Sequence, residues 1–164
     1  MATTDLSAYD ASQIPSAKGM RVAIVTSEWN QHITFALRDG AINTLLKFEA
    51  NEKDIHTFYV PGAFELVHAA NKLAHKVPAY DAIIVLGCVI QGGTPHFEYV
   101  CQGTTQGIAQ VNAEHTTPVI YGLLTCNTEQ EALDRCGGKL GNKGDEGAIT
   151  AIKMVQFDTD IIAQ

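Results

Sequence analysis

Short apolar runs rich in β-branched residues alternate with longer stretches of helical period along most of the chain. RVAIVTS (residues 21–27), DIHTFYV (54–60), DAIIVLG (81–87) and TPVIYGLLT (117–125) predict strands. Residues 31–49, 64–76, 97–115, 128–136 and 146–157 predict helices. The strands are almost wholly apolar instead of alternating, which implies burial on both faces, as in a parallel sheet covered by helices. The expected fold is therefore α/β, a three-layer α/β/α sandwich around a four-stranded parallel sheet. Right-handed crossovers then bring every strand-to-helix loop to one edge of the sheet. Residues 1–19 show no periodicity and are expected to form an extended N-terminal arm, with residues 20–164 as a single domain free of repeats and linkers.

Composition narrows the partners. With 164 residues, 46% hydrophobic and 18% charged, the chain suits one globular domain with a sizeable core. No apolar run approaches the roughly 20 residues of a membrane span. The N-terminus lacks a basic segment followed by an apolar stretch, so a soluble, cytoplasmic protein is expected. A net charge of −7 argues against nucleic acid or an anionic membrane as partner, because phosphate backbones are held largely by many basic contacts. Cys88, Cys101, Cys126 and Cys136 have no paired spacing and lie in apolar or helical patterns, which indicates neither a disulfide framework nor a zinc site. Against the acidic background, Arg135, Lys139 and Lys143 cluster in RCGGKLGNKG, a local cationic patch.

Four segments should converge at the loop edge. The first, Ser27-Glu28-Trp29-Asn30, carries the single tryptophan, which suits either stacking on a planar heterocycle or anchoring a core or an interface. In the second, Val60-Pro61-Gly62-Ala63-Phe64-Glu65, a tight turn leads to a carboxylate that either complements a helix dipole or accepts hydrogen bonds from ligand hydroxyls. The third, Gln91-Gly92-Gly93-Thr94-Pro95-His96, follows a buried strand with accessible amides, a hydroxyl and a titratable ring at a helix start, a setting that attracts phosphate and favours a proton-transfer role for His96. The other histidines, His32, His56, His68, His75 and His115, fit no metal spacing and are expected at the surface or in packing. The fourth is the cationic patch, whose Arg135 suits bidentate phosphate binding and equally a solvated helix end.

Five motifs in order, Trp29-Asn30, VPGAFE (60–65), GCVIQGGTPHFEYV (87–100), PVIYG (118–122) and DRCGGKLGNKG (134–144), resemble the lumazine synthase family of riboflavin biosynthesis over nearly all of the chain from about Met20 onward. The resemblance implies a flavodoxin-like sheet. It implies a transferase that condenses 5-amino-6-(D-ribitylamino)uracil with 3,4-dihydroxy-2-butanone 4-phosphate, releasing phosphate and water and using no metal or organic cofactor. By analogy Trp29 stacks on the pyrimidine; Ala63, Phe64 and Glu65 hold the ring and ribityl chain; and Cys88, Val89 and Ile90 line the pyrimidine site. Gly93, Thr94 and Arg135 grip the phosphate, with Lys139 and Lys143 as candidate support, Tyr121 closes the pocket, and His96 shuttles protons. Tyr121 and Arg135 are implied to come from a neighbouring subunit of a homo-oligomer, a pentamer assembled into an icosahedral shell with riboflavin synthase as the candidate enclosed partner. Gln91 stands where many members carry arginine, Gly93 where alanine or glutamate is frequent, and Trp29 where phenylalanine is common. The rival readings are a flavodoxin-like electron carrier, a non-catalytic flavin- or lumazine-binding shell protein, and an archaeal-type riboflavin synthase. The first would need a hydroxyl-rich phosphate loop where this chain has SEWN, and the second has little use for His96 together with Arg135.

Overall fold

In the structure, a computed structural model that describes residues 9–163, the strands are β1 (Val22–Ser27), β2 (Ile55–Val60), β3 (Ala82–Ile90) and β4 (Val119–Cys126). They form one all-parallel sheet in the order β2-β1-β3-β4. The connecting helices are α1 (Gln31–Lys47), α2 (Leu66–Ala74) and α3 (His96–Glu114). After β4 come α4 (Glu129–Leu133), a small hairpin of β5 (Cys136–Gly138) and β6 (Gly141–Asn142), and the terminal helix α5 (Lys143–Ile162).

Both central strands are buried on both faces, β1 along its whole length and β3 through Cys88. Alternate residues feed two cores. Ile24, Ile84 and Leu86 meet Leu37 and Leu45 of α1 and Ile152 of α5 on one side. Val25, Ile83 and Val85 meet Leu66 of α2 and Ile108 of α3 on the other. This is the expected three-layer sandwich.

Most element ends shift from the pattern-based expectation, α4 stopping at Leu133 so that Cys136 enters β5 and α5 running on to Ile162, and three of the shifts bear on the site. β3 runs on to Ile90 instead of stopping at Gly87, because Val89 and Ile90 pair with Thr125 and Cys126 of β4. Gly87 is there for space, not for a turn: a Cβ would sit 2.8 Å from the Leu123 side chain and 3.0 Å from that of Leu66. α2 starts two residues later than expected, since residues 61–65 are a turn, and α5 starts three residues earlier, capped by the Asn142 side chain, which accepts from the Gly144 amide.

The expected arm, residues 1–19, falls partly outside the described residues. Of the remainder, Ala17 is buried and its amide donates to the Phe48 carbonyl at 2.7 Å, while the Tyr9 ring lies against that of Phe48. Among the described residues no helix is long and apolar enough to cross a membrane.

Candidate functional site

At the carboxyl edge of the sheet, backbone bonds stitch the first two loops together. The Glu28 amide donates to the Val60 carbonyl and the Trp29 amide to that of Pro61. Asn30 takes a left-handed conformation (φ 60°), and its amide nitrogen donates across to the Cys88 carbonyl of β3 at 3.0 Å. Asparagine tolerates that region better than most residues, and here its side chain braces the loop against the sheet. The indole of Trp29 is thereby held outward and is 68% exposed.

The second loop fits beneath this indole. A Cβ at Gly62 would lie 2.6 Å from the Trp29 ring, so the turn must be glycine for the indole to lie where it does. Glu65 closes the turn by accepting the Gly62 amide on Oε2 at 3.0 Å. Among the described residues its other oxygen accepts no bond, so the carboxylate serves the turn and still offers an acceptor. Phe64 lies over Gly103 of α3, where a Cβ would meet its ring at 2.8 Å.

α3 supplies the facing wall. His96 opens the helix after Pro95, and Tyr99 and Val100 follow on the same face at helical spacing. His96 is exposed and forms no hydrogen bond or ion pair with the described residues, which leaves its ring available to a ligand. Trp29, Asn30, Ala63, Phe64, Glu65, Cys88, Val89, Ile90, His96, Tyr99 and Val100 together enclose a cavity of about 510 Å³. That volume lies in the range of small-molecule sites. Burial pushes the Cys88 thiol up to about 12, so it remains protonated through the physiological range and acts as wall, not nucleophile.

Eight sequence-singled residues thus share one cavity: Trp29, Ala63, Phe64, Glu65, Cys88, Val89, Ile90 and His96. Gly93 and Thr94 sit exposed on the loop that leads to His96 without lining the cavity. Tyr121 lies elsewhere, its hydroxyl 2.6 Å from Thr105 Oγ1, in a groove along β4 and α5 that it shares with Lys143. Burial raises its phenol above the ordinary value, against the effect of the Thr105 bond. Arg135 donates from Nη1 to the Glu131 carbonyl. Lys139 pairs with Asp134 at 2.9 Å and Lys143 with Glu146, so within one chain both lysines are already matched by carboxylates. Asn30 as a brace, and Tyr99 and Val100 as lining, were not singled out from the sequence. The step of three and four residues from His96 is the signal that finds the latter two. Among the described residues no three histidine, cysteine or acidic side chains converge as a metal site.

Comparison with known proteins returns a single description. The family model for 6,7-dimethyl-8-ribityllumazine synthase matches residues 19–159. A 6,7-dimethyl-8-ribityllumazine synthase of Phocaeicola vulgatus is 58% identical over 153 residues, covering 93% of this chain and 90% of the relative. Its counterpart in Bacteroides fragilis is 59% identical over 138 residues, with 84% and 96% covered, and that in Parabacteroides distasonis is 52% identical over 153 residues, with 93% and 95% covered.

Proposed function

The chain belongs to the 6,7-dimethyl-8-ribityllumazine synthase family, and from that premise we propose that the cavity between Trp29 and His96 is where its two substrates meet. The enzyme is a transferase of riboflavin biosynthesis, condensing 5-amino-6-(D-ribitylamino)uracil with 3,4-dihydroxy-2-butanone 4-phosphate to the lumazine with release of phosphate and water. The observation that carries the site assignment is the pairing of an outward indole, held by Asn30 and Gly62, with an unpartnered imidazole on the opposite wall.

In this reading the pyrimidine stacks on Trp29 with its edge against the end of β3, where Cys88, Val89 and Ile90 present backbone groups. Stacking of this kind is worth about 0.5–1.5 kcal/mol beyond area burial. The free oxygen of Glu65 accepts from ribityl hydroxyls. The phosphate of the second substrate lies toward Gly93 and Thr94, where exposed amides at the approach to α3 favour an anion. His96, between the two, takes a proton from the attacking amine and gives it to the hydroxyl that leaves as water, and then takes the carbon-bound proton lost when phosphate is eliminated. Since amine and ketone react without activation by a strong base, orientation is the larger contribution, reaching about 7–11 kcal/mol in well-aligned systems.

Tyr121 and Arg135 complete the site from a neighbouring copy in a homo-oligomer, and the proposed assembly is a pentamer packed into an icosahedral shell with riboflavin synthase as its candidate cargo. What supports this is that neither residue lines the cavity of its own chain, and that Arg135 alone of the three patch cations has no ion pair among the described residues. Lys139 and Lys143, matched by carboxylates, act at most on the long-range field. The substrates are charged or polyhydroxylated molecules that do not cross membranes unaided, which supports the cytoplasm as the place of action.

The test is lumazine formation followed by absorbance, with each substrate varied in turn. Arg135→Ala should raise KM for the phosphate substrate more than KM for the pyrimidine; equal effects on both would remove Arg135 from the phosphate site. A second arm mixes subunits. Trp29→Ala and Arg135→Ala chains, each impaired, should regain activity when co-assembled in equal amounts, with about a quarter of sites intact if each site spans one heterologous interface. No recovery in verified mixed assemblies would mean that one chain supplies the whole site.

A further inference from the structure

At the opposite end of the sheet from the cavity, two helices end side by side with a pair of histidines between them. His75 caps the C-terminus of α2, and His115 caps that of α3. Their rings lie 4.3 Å apart, centroid to centroid, with planes at 76°. Both rings are tied to one residue. His75 Nδ1 lies 2.8 Å from the backbone carbonyl of Asn71, and His115 Nε2 lies 3.1 Å from the side-chain carbonyl of the same Asn71.

Carbonyl oxygens only accept, so each of these nitrogens carries the proton. In the neutral rings the lone pairs are then left on His75 Nε2 and His115 Nδ1, neither of which has a partner among the described residues. A packing pair needs only an edge against a face. Here a single asparagine sets the tautomer of both rings and leaves two imidazole lone pairs on adjacent rings, the arrangement by which hydrogen-bonded histidines are prepared for a metal.

We propose that His75 and His115 form a surface site for a divalent late first-row transition cation, with Asn71 as the positioning residue and water filling the remaining coordination positions. Two neutral nitrogens with no carboxylate on the ion select copper, nickel or zinc over magnesium or calcium, and copper(II) should bind most tightly. Lys72 on α2, Lys76 just past its end and Glu114 on α3 flank the site in the chain, with Glu114 engaged by Gln110 Nε2. Nothing in the site touches the Trp29 cavity, so it stands apart from catalysis.

The experiment uses the assembled, tag-free full chain, titrated with CuCl2 above neutral pH against a weak competing chelator, with electron paramagnetic resonance of the loaded protein. The expected result is one Cu(II) per chain with nitrogen hyperfine structure, lost in His75→Gln and in His115→Gln while lumazine synthesis is retained. Asn71→Leu, which keeps the backbone acceptor of His75 but removes the side-chain acceptor of His115, should weaken binding by about 10–100-fold, and Asn71→Asp, which keeps that side-chain acceptor, should restore it. His32→Gln should bind as the parent does, because His32 pairs with Glu129 elsewhere. Cu(II) stoichiometry and affinity unchanged in both His75→Gln and His115→Gln, an all-oxygen spectrum, or loss of binding in His32→Gln would overturn the proposal.

Discussion

Individual side chains in this protein do their work through what they leave free as much as through what they bond. Glu65 commits one oxygen to the Gly62 amide and keeps the other, and His96 commits neither ring nitrogen. Because His96 is assigned to proton transfer and not to the orientation of substrates, His96→Ala should lower kcat by about 10²–10⁴-fold and no further, with a residual rate above the protein-free control. Initial rates by absorbance decide this, and a fall to the control rate would make His96 indispensable. Asp134 is the residue whose titration bears on stability. Hydrogen bonds from Lys139 and then from Gln130 hold its carboxyl below the usual carboxylate value. A carboxylate depressed in the folded state contributes stability that is present above the unfolded value, about 3.9, and is lost as pH falls through the folded value. Asp134→Asn should therefore have a lower urea midpoint at pH 7, and the gap from the parent should shrink below about pH 4. A gap of constant size down to acid would show that the carboxylate charge is not what matters there.

Among the elements, α5 packs closely on α1. The first turn of α5 approaches so closely that a Cβ at Gly144 would fall on the Leu37 backbone carbonyl, 1.8 Å away. Asn142 fastens the same junction, donating to the Ala36 carbonyl and accepting from the Gly144 amide. No side chain can swing aside to relieve a clash with backbone, so Gly144→Ala should cost about 3 kcal/mol, the upper part of the usual overpacking range. Urea unfolding measures it, with Gly92→Ala, which meets nothing within 4 Å, as the near-neutral control. A small effect at Gly144 would mean that the two helices can part without loss of packing. The same junction accounts for the glycine-rich RCGGKLGNKG segment. Its sequence suits both a phosphate loop and a solvated helix end; the structure makes it a hairpin, with Gly137 and Gly141 at positive φ, leading into the cap of α5.

For the molecule as a whole, large apolar side chains remain uncovered: Trp29, Phe64 and Tyr99 around the cavity, and Phe157, Ile161 and Ile162 on the last turns of α5. Contiguous exposed apolar surface marks interaction sites. The proposed assembly predicts that light scattering at neutral pH gives the mass of a closed shell of pentamers. An isolated pentamer would remove the shell and keep the shared site, whereas a monomer with full activity would remove both.

The sequence by itself determined the layered α/β class, the edge of the sheet at which the loops gather, and the family. These depend on local patterns, namely unbroken apolar runs for doubly buried strands, glycine and proline at turns, and five motifs in order. Eight of the candidate residues were legible for the same reason, since each lies within a few positions of a strand's carboxyl end. Only the tertiary structure decided the rest. β3 reaches Ile90 because β4 offers it partners, Tyr99 and Val100 enter the cavity because α3 is rotated to face Trp29, and the lysines of the cationic patch turn to their own carboxylates. His75 and His115, read from the sequence as unremarkable, meet because two helices of different length end at the same level. Such contacts join residues distant in the chain, and their geometry follows from strand register and helix placement, which no local pattern records.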